Sequence, residues 1–318
     1  MKLLVVSKID PDALAALQAT HDVVVAINPD DDTLVSLIAD REVLIFRSGV
    51  EITRRALEAG RELRLLLRAG SGLDNIDLAY IEQRGIDLQR VPGPGAQSVA
   101  ELTFALMLAL ARNVVTADAS MRAGRWMKSE LVGHMLAGKT LGVIGLGNIG
   151  GKVAAMGSAW GMTAIGCVER PSTGRASTFA DHGVELVDCD EVIARADFLT
   201  LHVPLKPTNV GLIGEAALRR MKPTAFLVNI ARGGVVDEDA LLRALREGRI
   251  AGAALDVHAT ERDGYRTPLA DLPNVVLTPH LGASTVDSQR EIGREIVRIL
   301  SVLVTTTAPS LQEVSTPR

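Results

Sequence analysis

The sequence of 318 residues has few aromatic side chains and no excess of positive charge. Phe, Trp and Tyr make up 3% of the residues, and 34 basic residues stand against 38 acidic ones, which gives a formal net charge of −4. A nucleic-acid-binding surface needs clustered cations for the phosphates and aromatic rings on which the bases stack. The composition therefore argues against nucleic acid as a partner.

Cysteine and long apolar runs are also scarce. The two cysteines, Cys167 and Cys189, are too few for a disulfide framework. The N-terminus has only a short apolar run with no cleavage site after it, so no signal peptide is predicted. The longest apolar stretch, residues 99–111, contains Glu101 and falls short of the roughly 18 residues that span a membrane. These features predict a cytoplasmic protein that does not enter a membrane.

Apolar runs alternate with amphipathic segments through most of the chain. In the first 90 residues, strands are predicted at 3–6, 23–27, 43–46 and 63–67, and helices are predicted to start near Asp10, Asp30 and Thr53. The same alternation resumes at residue 140. Continuous apolar runs are typical of parallel strands that helices cover on both faces. Together with a length that favours two domains at roughly 100–200 residues each, the pattern predicts an α/β fold with two doubly wound parallel sheets.

A linker and a helix are predicted between the two alternating regions. Residues 91–95 hold two prolines and two glycines, which favours a linker. Ser98 and Glu101 then fit a capping box that opens a helix ending near Arg112. This helix is apolar on nearly every side, so it is expected to be buried either within one subunit or against a second copy of the chain.

A glycine-rich loop carries the first functional signal. Gly145, Gly147 and Gly150 form the pattern GxGxxG after an apolar strand and before a helix, where the glycines allow a tight turn, approach of a pyrophosphate and close helix packing. The pattern predicts a dinucleotide site; the alternative is a glycine-rich turn that binds nothing.

The residues expected to contact the ribose leave the cofactor open. The strand after the loop ends in Val168, Glu169 and Arg170. An acidic residue here accepts a hydrogen bond from the ribose 2′-hydroxyl of NAD, whereas an arginine favours the 2′-phosphate of NADP. Glu169 therefore favours NAD and Arg170 favours NADP, and the two signals are nearly even.

Several ordered motifs together resemble the D-2-hydroxyacid dehydrogenases, the group that includes phosphoglycerate dehydrogenase and the glyoxylate and hydroxypyruvate reductases. The resemblance covers nearly the whole chain and rests on GKTLGVIGLGNIG at 138–150, HVPLKPTNVGLI at 202–213, MKPTAFLVNIARGGVVDEDAL at 221–241, ALDVHATE at 254–261, LTPHLGAST at 277–285, RAGSGLDNID at 68–77 and SVAELTFALMLALAR at 98–112.

The resemblance implies a discontinuous architecture. Residues 1–96 and 287–318 would form a flavodoxin-like substrate domain, and residues 97–286 would form an inserted Rossmann cofactor domain, with catalysis in the cleft between them. It also implies a homodimer formed through the cofactor domain. Because the sequence ends without a further extension, a serine-feedback domain is expected to be absent.

Three residues match the catalytic set of the family. His280 would donate a proton to the nascent alkoxide, and in the oxidation direction it would act as the base. Glu261, hydrogen-bonded to His280, would favour the imidazolium form. Arg232 would hold the carboxylate of the substrate and polarise its carbonyl group.

The resemblance also implies contacts to the cofactor and to a small anionic substrate. The residues implied for the cofactor are Gly145, Gly147, Asn148, Ile149, Gly150, Val168, Glu169, Arg170, His202, Val203, Pro204, Thr208, Ile230, Ala231, Asp256 and Gly282. Those implied for the substrate are Arg47, Ser71, Gly72, Arg232 and His280. Arg47 has two interpretations, since it either binds a second anionic group such as phosphate or pairs with an acidic neighbour, and the ion pair is favoured. No metal site is predicted, because no pair of histidines has ligand spacing with carboxylates or thiols.

Two positions depart from the family pattern near the catalytic set. His258 replaces the usual aromatic residue, and Arg262 replaces the usual proline and is expected to point into solvent. The function predicted is hydride transfer between NAD or NADP and a small D-2-hydroxy acid or its 2-keto acid. The alternative is a corepressor-like binding protein that uses the cofactor as a switch.

Overall fold

A computed structural model describes residues 1–169 and 183–307 of the chain. The chain divides into two compact units. The first comprises residues 1–95 together with the chain from Thr285 onward, and the second comprises Ala96–Ser284. The second unit is therefore inserted into the first.

The first unit is built on a five-stranded parallel sheet in the order β2-β1-β3-β4-β5. Its strands are β1 (Lys2–Val5), β2 (Asp22–Val25), β3 (Val43–Phe46), β4 (Leu65–Arg68) and β5 (Asp87–Arg90). The helices are α1 (Pro11–Thr20), α2 (Asp31–Ile38), α3 (Arg54–Ala59), α4 (Leu78–Arg84) and, near the end of the chain, α11 (Val286–Thr307). Helices cover both faces of the sheet, and β3 and β4 are therefore buried along their whole length, as their continuous apolar sequences predict.

Side-chain caps confirm the predicted helix starts in this unit. Asp10 caps α1, Asp30 caps α2 and Thr53 caps α3, each accepting a hydrogen bond from a main-chain N–H in the first turn. The edge strand β5 is missing from the sequence prediction, because its sequence DLQR is mostly polar and only partly buried.

The second unit is built on a seven-stranded parallel sheet in the order β12-β11-β10-β9-β6-β7-β8. Its strands are β6 (Thr140–Ile144), β7 (Thr163–Cys167), β8 (Val184–Leu186), β9 (Phe198–Leu201), β10 (Phe226–Asn229), β11 (Gly252–Leu255) and β12 (Val275–Leu277). The helices in the described part of the unit are α5 (Gly95–Ala111), α6 (Val114–Arg122), α7 (Asn148–Ala159), α8 (Cys189–Arg195), α9 (Glu215–Arg220) and α10 (Glu238–Arg246).

The strand orders confirm the predicted fold class. Counted from β6 as the first strand, the seven-stranded sheet has the Rossmann order 3-2-1-4-5-6 with one further strand at its edge. The five-stranded sheet has the flavodoxin-like order 2-1-3-4-5. In such sheets ligands bind beyond the carboxyl ends of the strands where the order reverses, which is between β6 and β9 in the second unit.

The capping box predicted at Ser98 is wrong. Helix α5 begins at Gly95, so Ser98 lies inside the helix, where it is buried. Glu101 is exposed and accepts a hydrogen bond of 2.9 Å from the side-chain amide of Gln97. The proline at position 94 does not delay the helix, because proline is well tolerated at a helix start.

The two cysteines are bonded to each other, which the sequence analysis did not predict. Cys167, the last residue of β7, and Cys189, the first residue of α8, form a disulfide with their Cα atoms 5.4 Å apart. The Cα separation is normal for a disulfide. Sequence spacing alone does not predict this pair, because the fold brings together two positions that are 22 residues apart.

No single helix among the described residues is long and apolar enough to cross a membrane. Helices α5 and α6 meet that length and composition only when taken together, with a bend of 63° between them. Ten residues of α5 are buried, most of them apolar and packed in the core of the second unit.

Candidate active site

The glycine loop lies at the switch point between β6 and β9. Gly145 has a φ of +97°, and a Cβ atom there would lie 2.7 Å from the carbonyl oxygen of His202. A Cβ atom at Gly150 would collide with the carbonyl of Gly145, whereas one at Gly147 would meet no atom within 4 Å. The loop therefore combines a tight turn, a close helix contact and one open position.

This open position fits the pyrophosphate of a dinucleotide. Gly147 is the N-cap of α7, and no side chain among the described residues caps the helix start. The first main-chain N–H groups of the 12-residue helix, which begins with Asn148 and Ile149, therefore point toward the space beside Gly147. Free amides and the positive end of the helix dipole favour an anion at this place.

The residues expected at the ribose follow β7. Val168 is half-buried, and the exposed Glu169 accepts a hydrogen bond of 2.8 Å from the Lys206 ammonium group. Lys206 lies in the loop after β9 and was missed by the sequence analysis, although its position inside the motif HVPLKPTNV was a signal. Arg170, the residue that favours NADP, lies outside the described residues.

His202 follows β9 and is held as a neutral side chain. Burial lowers the pKa of His202 to about 3. Its Nε2 atom shares a hydrogen bond of 2.9 Å with the Thr200 hydroxyl, and its buried Nδ1 atom has no partner among the described residues. His202 is therefore unsuited to act as an acid at neutral pH. The neighbouring cofactor candidates after β9 are Val203, Pro204 and the exposed Thr208.

The three candidate catalytic residues follow three adjacent strands. Arg232 follows β10, Glu261 lies in the loop after β11, and His280 follows β12. Because β10, β11 and β12 are parallel neighbours, their carboxyl ends lie at one edge of the sheet. At this edge the Asn229 side-chain amide donates to the carbonyl of Arg232 over 3.0 Å, which fixes the start of the loop. Two further cofactor candidates, Ile230 and Ala231, are buried beside it.

Glu261 and His280 form a hydrogen-bonded pair. The Nδ1 atom of His280 lies 2.8 Å from Oε2 of Glu261, and the main-chain N–H of His258 donates to Oε1 over 3.1 Å. Burial raises the pKa of Glu261, but the hydrogen bond and charge of His280, assisted by His258, outweigh burial and hold the pKa below its ordinary value. The carboxylate is therefore ionised at neutral pH, and Nε2 of His280, which has no hydrogen bond within the described ranges, is left for another partner.

Asp256 shapes the turn that carries His280. Its carboxylate is fully buried and accepts hydrogen bonds from the Thr278 hydroxyl at 2.6 Å, from the Leu281 N–H at 2.8 Å and from the Gly282 N–H at 2.9 Å. His280 itself has a φ of +55°, a left-handed conformation that is uncommon for a residue other than glycine. The buried carboxylate thus holds the chain on both sides of His280.

His258 joins the three catalytic segments, a role that the sequence analysis missed. Its Nε2 atom lies 3.0 Å from the Thr278 carbonyl oxygen, and its N–H holds Glu261. A Cβ atom on Gly233, the residue after Arg232, would collide with the His258 carbonyl. The departure of His258 from the family pattern was the available signal. Arg262, by contrast, is exposed, as predicted.

The candidate substrate residues of the first unit follow β3 and β4. Arg47 is half-buried and forms no ion pair with any residue in the described ranges, so the predicted pairing with an acidic neighbour is wrong. Burial lowers the pKa of the Arg47 guanidinium. The side-chain amide of Asn75 donates to the Arg47 carbonyl over 3.3 Å, and this links the Arg47 loop to the segment that follows Ser71 and Gly72. The carbonyl of Gly72 is held by Arg68 Nε at 2.8 Å.

Within the described ranges, no group of three or more His, Cys, Asp and Glu side chains is placed to hold a metal ion. The fold and the glycine loop together define a dinucleotide-binding α/β protein. The sequence pattern of the family described as D-isomer specific 2-hydroxyacid dehydrogenase, NAD binding domain, matches residues 104–282. The chain belongs to this family, and its cofactor is a nicotinamide dinucleotide.

Individual relatives carry different names. D-3-phosphoglycerate dehydrogenase of Methanocaldococcus jannaschii is 44% identical over 294 residues, which is 92% of this chain but 55% of that protein. Hydroxypyruvate reductase of Thermotoga maritima is 42% identical over 271 residues, 84% of this chain and 86% of that protein. The crystal structure of D-lactate dehydrogenase from Aquifex aeolicus with NAD and lactic acid superposes with a TM-score of 0.86 at 28% identity, covering 100% of both chains. The chain thus spans about half the length of the phosphoglycerate dehydrogenase relatives that it matches.

Proposed function

We propose that this protein interconverts a small D-2-hydroxy acid and its 2-keto acid with a nicotinamide cofactor. The observation that carries the proposal is the Glu261–His280 pair, joined at 2.8 Å at the carboxyl edge of the sheet that also bears the glycine loop. An imidazole held by an ionised carboxylate is suited to exchange a proton with a substrate oxygen near neutral pH. No observation favours the corepressor-like alternative.

Different groups of the protein bind the ligands and transfer the proton. The free amides at the start of α7 bind the pyrophosphate, and Arg232 binds the substrate carboxylate as a cation with paired donors. His280 delivers a proton to the substrate oxygen through Nε2 during reduction and removes it during oxidation, while Glu261 orients the ring through Nδ1. When bound, the nicotinamide supplies or accepts the hydride.

Replacement of the acid tests this assignment directly. His280→Gln is expected to lower kcat for keto-acid reduction by about 100-fold or more, because general acid–base catalysis contributes about 10²- to 10⁴-fold. Cofactor affinity, measured by fluorescence titration, is expected to stay within about twofold of wild type, since His280 is not required for the pyrophosphate contacts. Full activity of His280→Gln, or no turnover by the wild type on any of about twenty keto acids, contradicts the proposal.

The choice between NAD and NADP rests on the residues after β7. Glu169 favours NAD, while Arg170 favours NADP, and the ammonium of Lys206 beside Glu169 adds a second cation for a 2′-phosphate. Titration of NADH and NADPH into wild type and Arg170→Ala decides between them. A selective loss of NADPH affinity supports NADP, whereas unchanged affinities support NAD.

Arg47 supports a substrate with a second anionic group. A half-buried guanidinium with no ion-pair partner in the described part of the chain is suited to bind a phosphate or carboxylate. The names of the relatives differ in this respect, because phosphoglycerate carries a phosphate and hydroxypyruvate does not. The kcat/KM for phosphohydroxypyruvate is therefore expected to exceed that for hydroxypyruvate, and Arg47→Ala is expected to remove the difference. Equal values in the wild type would exclude a phosphate at Arg47.

A homodimer through the second unit is proposed from exposed apolar residues. Large apolar side chains are exposed on α6 and the segment after it: Val114, Val115, Met121, Trp126, Val132 and Met135. Patches of this kind mark protein contacts. Light scattering is expected to give twice the 33.8 kDa mass of one chain, and Trp126→Asp with Val132→Asp is expected to give the single mass. A wild type that is monomeric at all concentrations contradicts the proposed homodimer. The cytoplasmic location of the protein stays a prediction.

A further inference from the structure

We propose that Cys167 and Cys189 form a redox-reactive pair that sets the affinity of the second unit for its dinucleotide, with a small thiol/disulfide couple of the glutathione class as the co-reactant. The inference rests on the nicotinamide site and on no particular keto acid. It starts from the position of the disulfide, which lies at the carboxyl end of β7 next to the glycine loop.

Cys167 is connected to the cofactor site through its main chain. Its carbonyl oxygen accepts a hydrogen bond of 3.0 Å from the N–H of Gly145, the first glycine of the loop. Val168 and Glu169, the residues proposed to contact the ribose, follow it directly. Any displacement of Cys167 therefore reaches both the loop that holds the pyrophosphate and the residues that contact the ribose.

Cys189 connects the pair to a firmly packed helix. Helix α8, which it begins, places Val192 and Ile193 in the core, and the Val187 N–H donates to the Gly166 carbonyl over 3.0 Å just before the helix. The disulfide thus joins the end of β7 to an anchored helix. Cys189 is half-buried whereas Cys167 is only 5% exposed, so Cys189 is the sulfur that an external thiol or disulfide reaches first.

Oxidation of the dithiol form proceeds by two exchange steps. The Cys189 thiolate attacks glutathione disulfide, which forms a mixed disulfide at Cys189 and releases one glutathione thiolate. The Cys167 thiolate then attacks the sulfur of Cys189, closes the intramolecular disulfide and releases the second glutathione. The pair loses two electrons and two protons in all, and both electrons go to the glutathione sulfurs. Reduction follows the same steps in reverse.

The two redox states are expected to bind the dinucleotide differently. Two unbonded sulfur atoms need more separation than a bonded pair, and Cys167 lies in a packed core with little free space. On reduction either the end of β7 or the start of α8 must shift, and the cofactor site loses a covalent restraint. A site that is fixed before binding has less ordering left to do when the ligand arrives, so the disulfide form is expected to bind more tightly.

The experiment measures thiols and cofactor affinity in the full chain. The protein is equilibrated with reduced or oxidised glutathione, alkylated and weighed, and NADH and NADPH are titrated into each state by fluorescence. Two alkylated thiols are expected in the reduced state and none in the oxidised state, without a glutathione adduct. Affinity for the preferred cofactor is expected to be about three- to tenfold lower in the reduced state.

A variant that lacks both cysteines is the control for this experiment. The variant with Cys167→Ser and Cys189→Ser is expected to bind the cofactor equally under both conditions. If that variant does not fold, the comparison of the two wild-type states stands without it. Equal affinity in the two wild-type states, or glutathione adducts in place of the intramolecular bond, overturns the proposal. Neither readout uses a keto acid, so a failure to find a substrate is distinguishable from a failure of this inference.

Discussion

The main-chain N–H of His258 donates a hydrogen bond to Oε1 of Glu261, the carboxylate oxygen that does not contact His280. The His258 ring reaches the carbonyl of Thr278, two residues before His280, over 3.0 Å. One residue thus holds both the carboxylate and the chain that carries the imidazole.

His258→Ala is expected to lower kcat for keto-acid reduction by about tenfold, because one hydrogen bond that positions the His280 turn is lost at a cost of about 0.5–1.5 kcal/mol. His258→Gln can still donate to the Thr278 carbonyl and is expected to stay within about threefold of wild type. Cofactor affinity, measured by titration, is expected to be unchanged in both. Equal losses in the two variants, or none in His258→Ala, contradict the positioning role.

Glu261→Gln is expected to remove the acid limb of the kcat/KM profile for reduction, because that limb reports protonation of the Glu261 carboxylate and a glutamine side chain does not titrate. The pKa of Glu261 in the folded protein lies below its ordinary value. The ionised carboxylate and its interaction with His280 are therefore present at every pH above the ordinary pKa of a glutamate, and they are lost only as the pH falls through the lowered pKa. The measurement is kcat/KM for reduction across pH. Asp263→Asn, which removes an exposed carboxylate nearby, serves as the control and is expected to leave the limb in place.

Asp256→Asn is expected to lower the free energy of unfolding by about 1–3 kcal/mol, because the new amide group faces donors and leaves a buried polar group unsatisfied. Urea unfolding measures the change. Asp271→Asn breaks an exposed pair with Arg266 and is the matched control, for which a much smaller change is expected. A similar effect of the two substitutions would show that the buried carboxylate does not hold the turn.

Lys206→Ala and Glu169→Gln are expected to shift cofactor preference in opposite directions. Loss of the Lys206 ammonium weakens NADPH relative to NADH by about threefold, as is typical of one exposed charge. Loss of the Glu169 charge weakens NADH relative to NADPH, because a neutral amide oxygen accepts a weaker hydrogen bond from the ribose hydroxyl than a carboxylate does. Dissociation constants for both nucleotides check the ratio, and a shift in the same direction for the two variants would disprove the assignment.

Gly147→Ala is expected to reduce affinity for the dinucleotide by about tenfold or more while the free energy of unfolding changes little. A Cβ atom here meets no atom of the described residues within 4 Å, so it occupies the space proposed for the pyrophosphate. Gly150→Ala is expected mainly to lower the free energy of unfolding, because its Cβ atom collides with the Gly145 carbonyl. Calorimetry and cofactor titration on both variants separate the two effects.

The sequence by itself determined the fold class and the location of the dinucleotide loop. Buried parallel strands such as VLIF at 43–46 need continuous apolar residues, and the GxGxxG turn needs glycines at fixed spacing, so both leave a local record. Helix starts at Asp10, Asp30 and Thr53 were predictable because an N-cap is a contact within one turn. The edge strands β5 and β8 have a weaker sequence pattern, since short, partly exposed strands need few apolar residues.

Only the tertiary structure decided the contacts between distant segments. Cys167 and Cys189 meet because β7 and α8 pack together, and Asp256 holds the turn of His280 because β11 and β12 are neighbours. Arg47 was expected to pair with a carboxylate, but the folded chain brings none to it within the described ranges. Such contacts depend on the register of strands and on side-chain packing across many residues, and no local pattern in the sequence records either one.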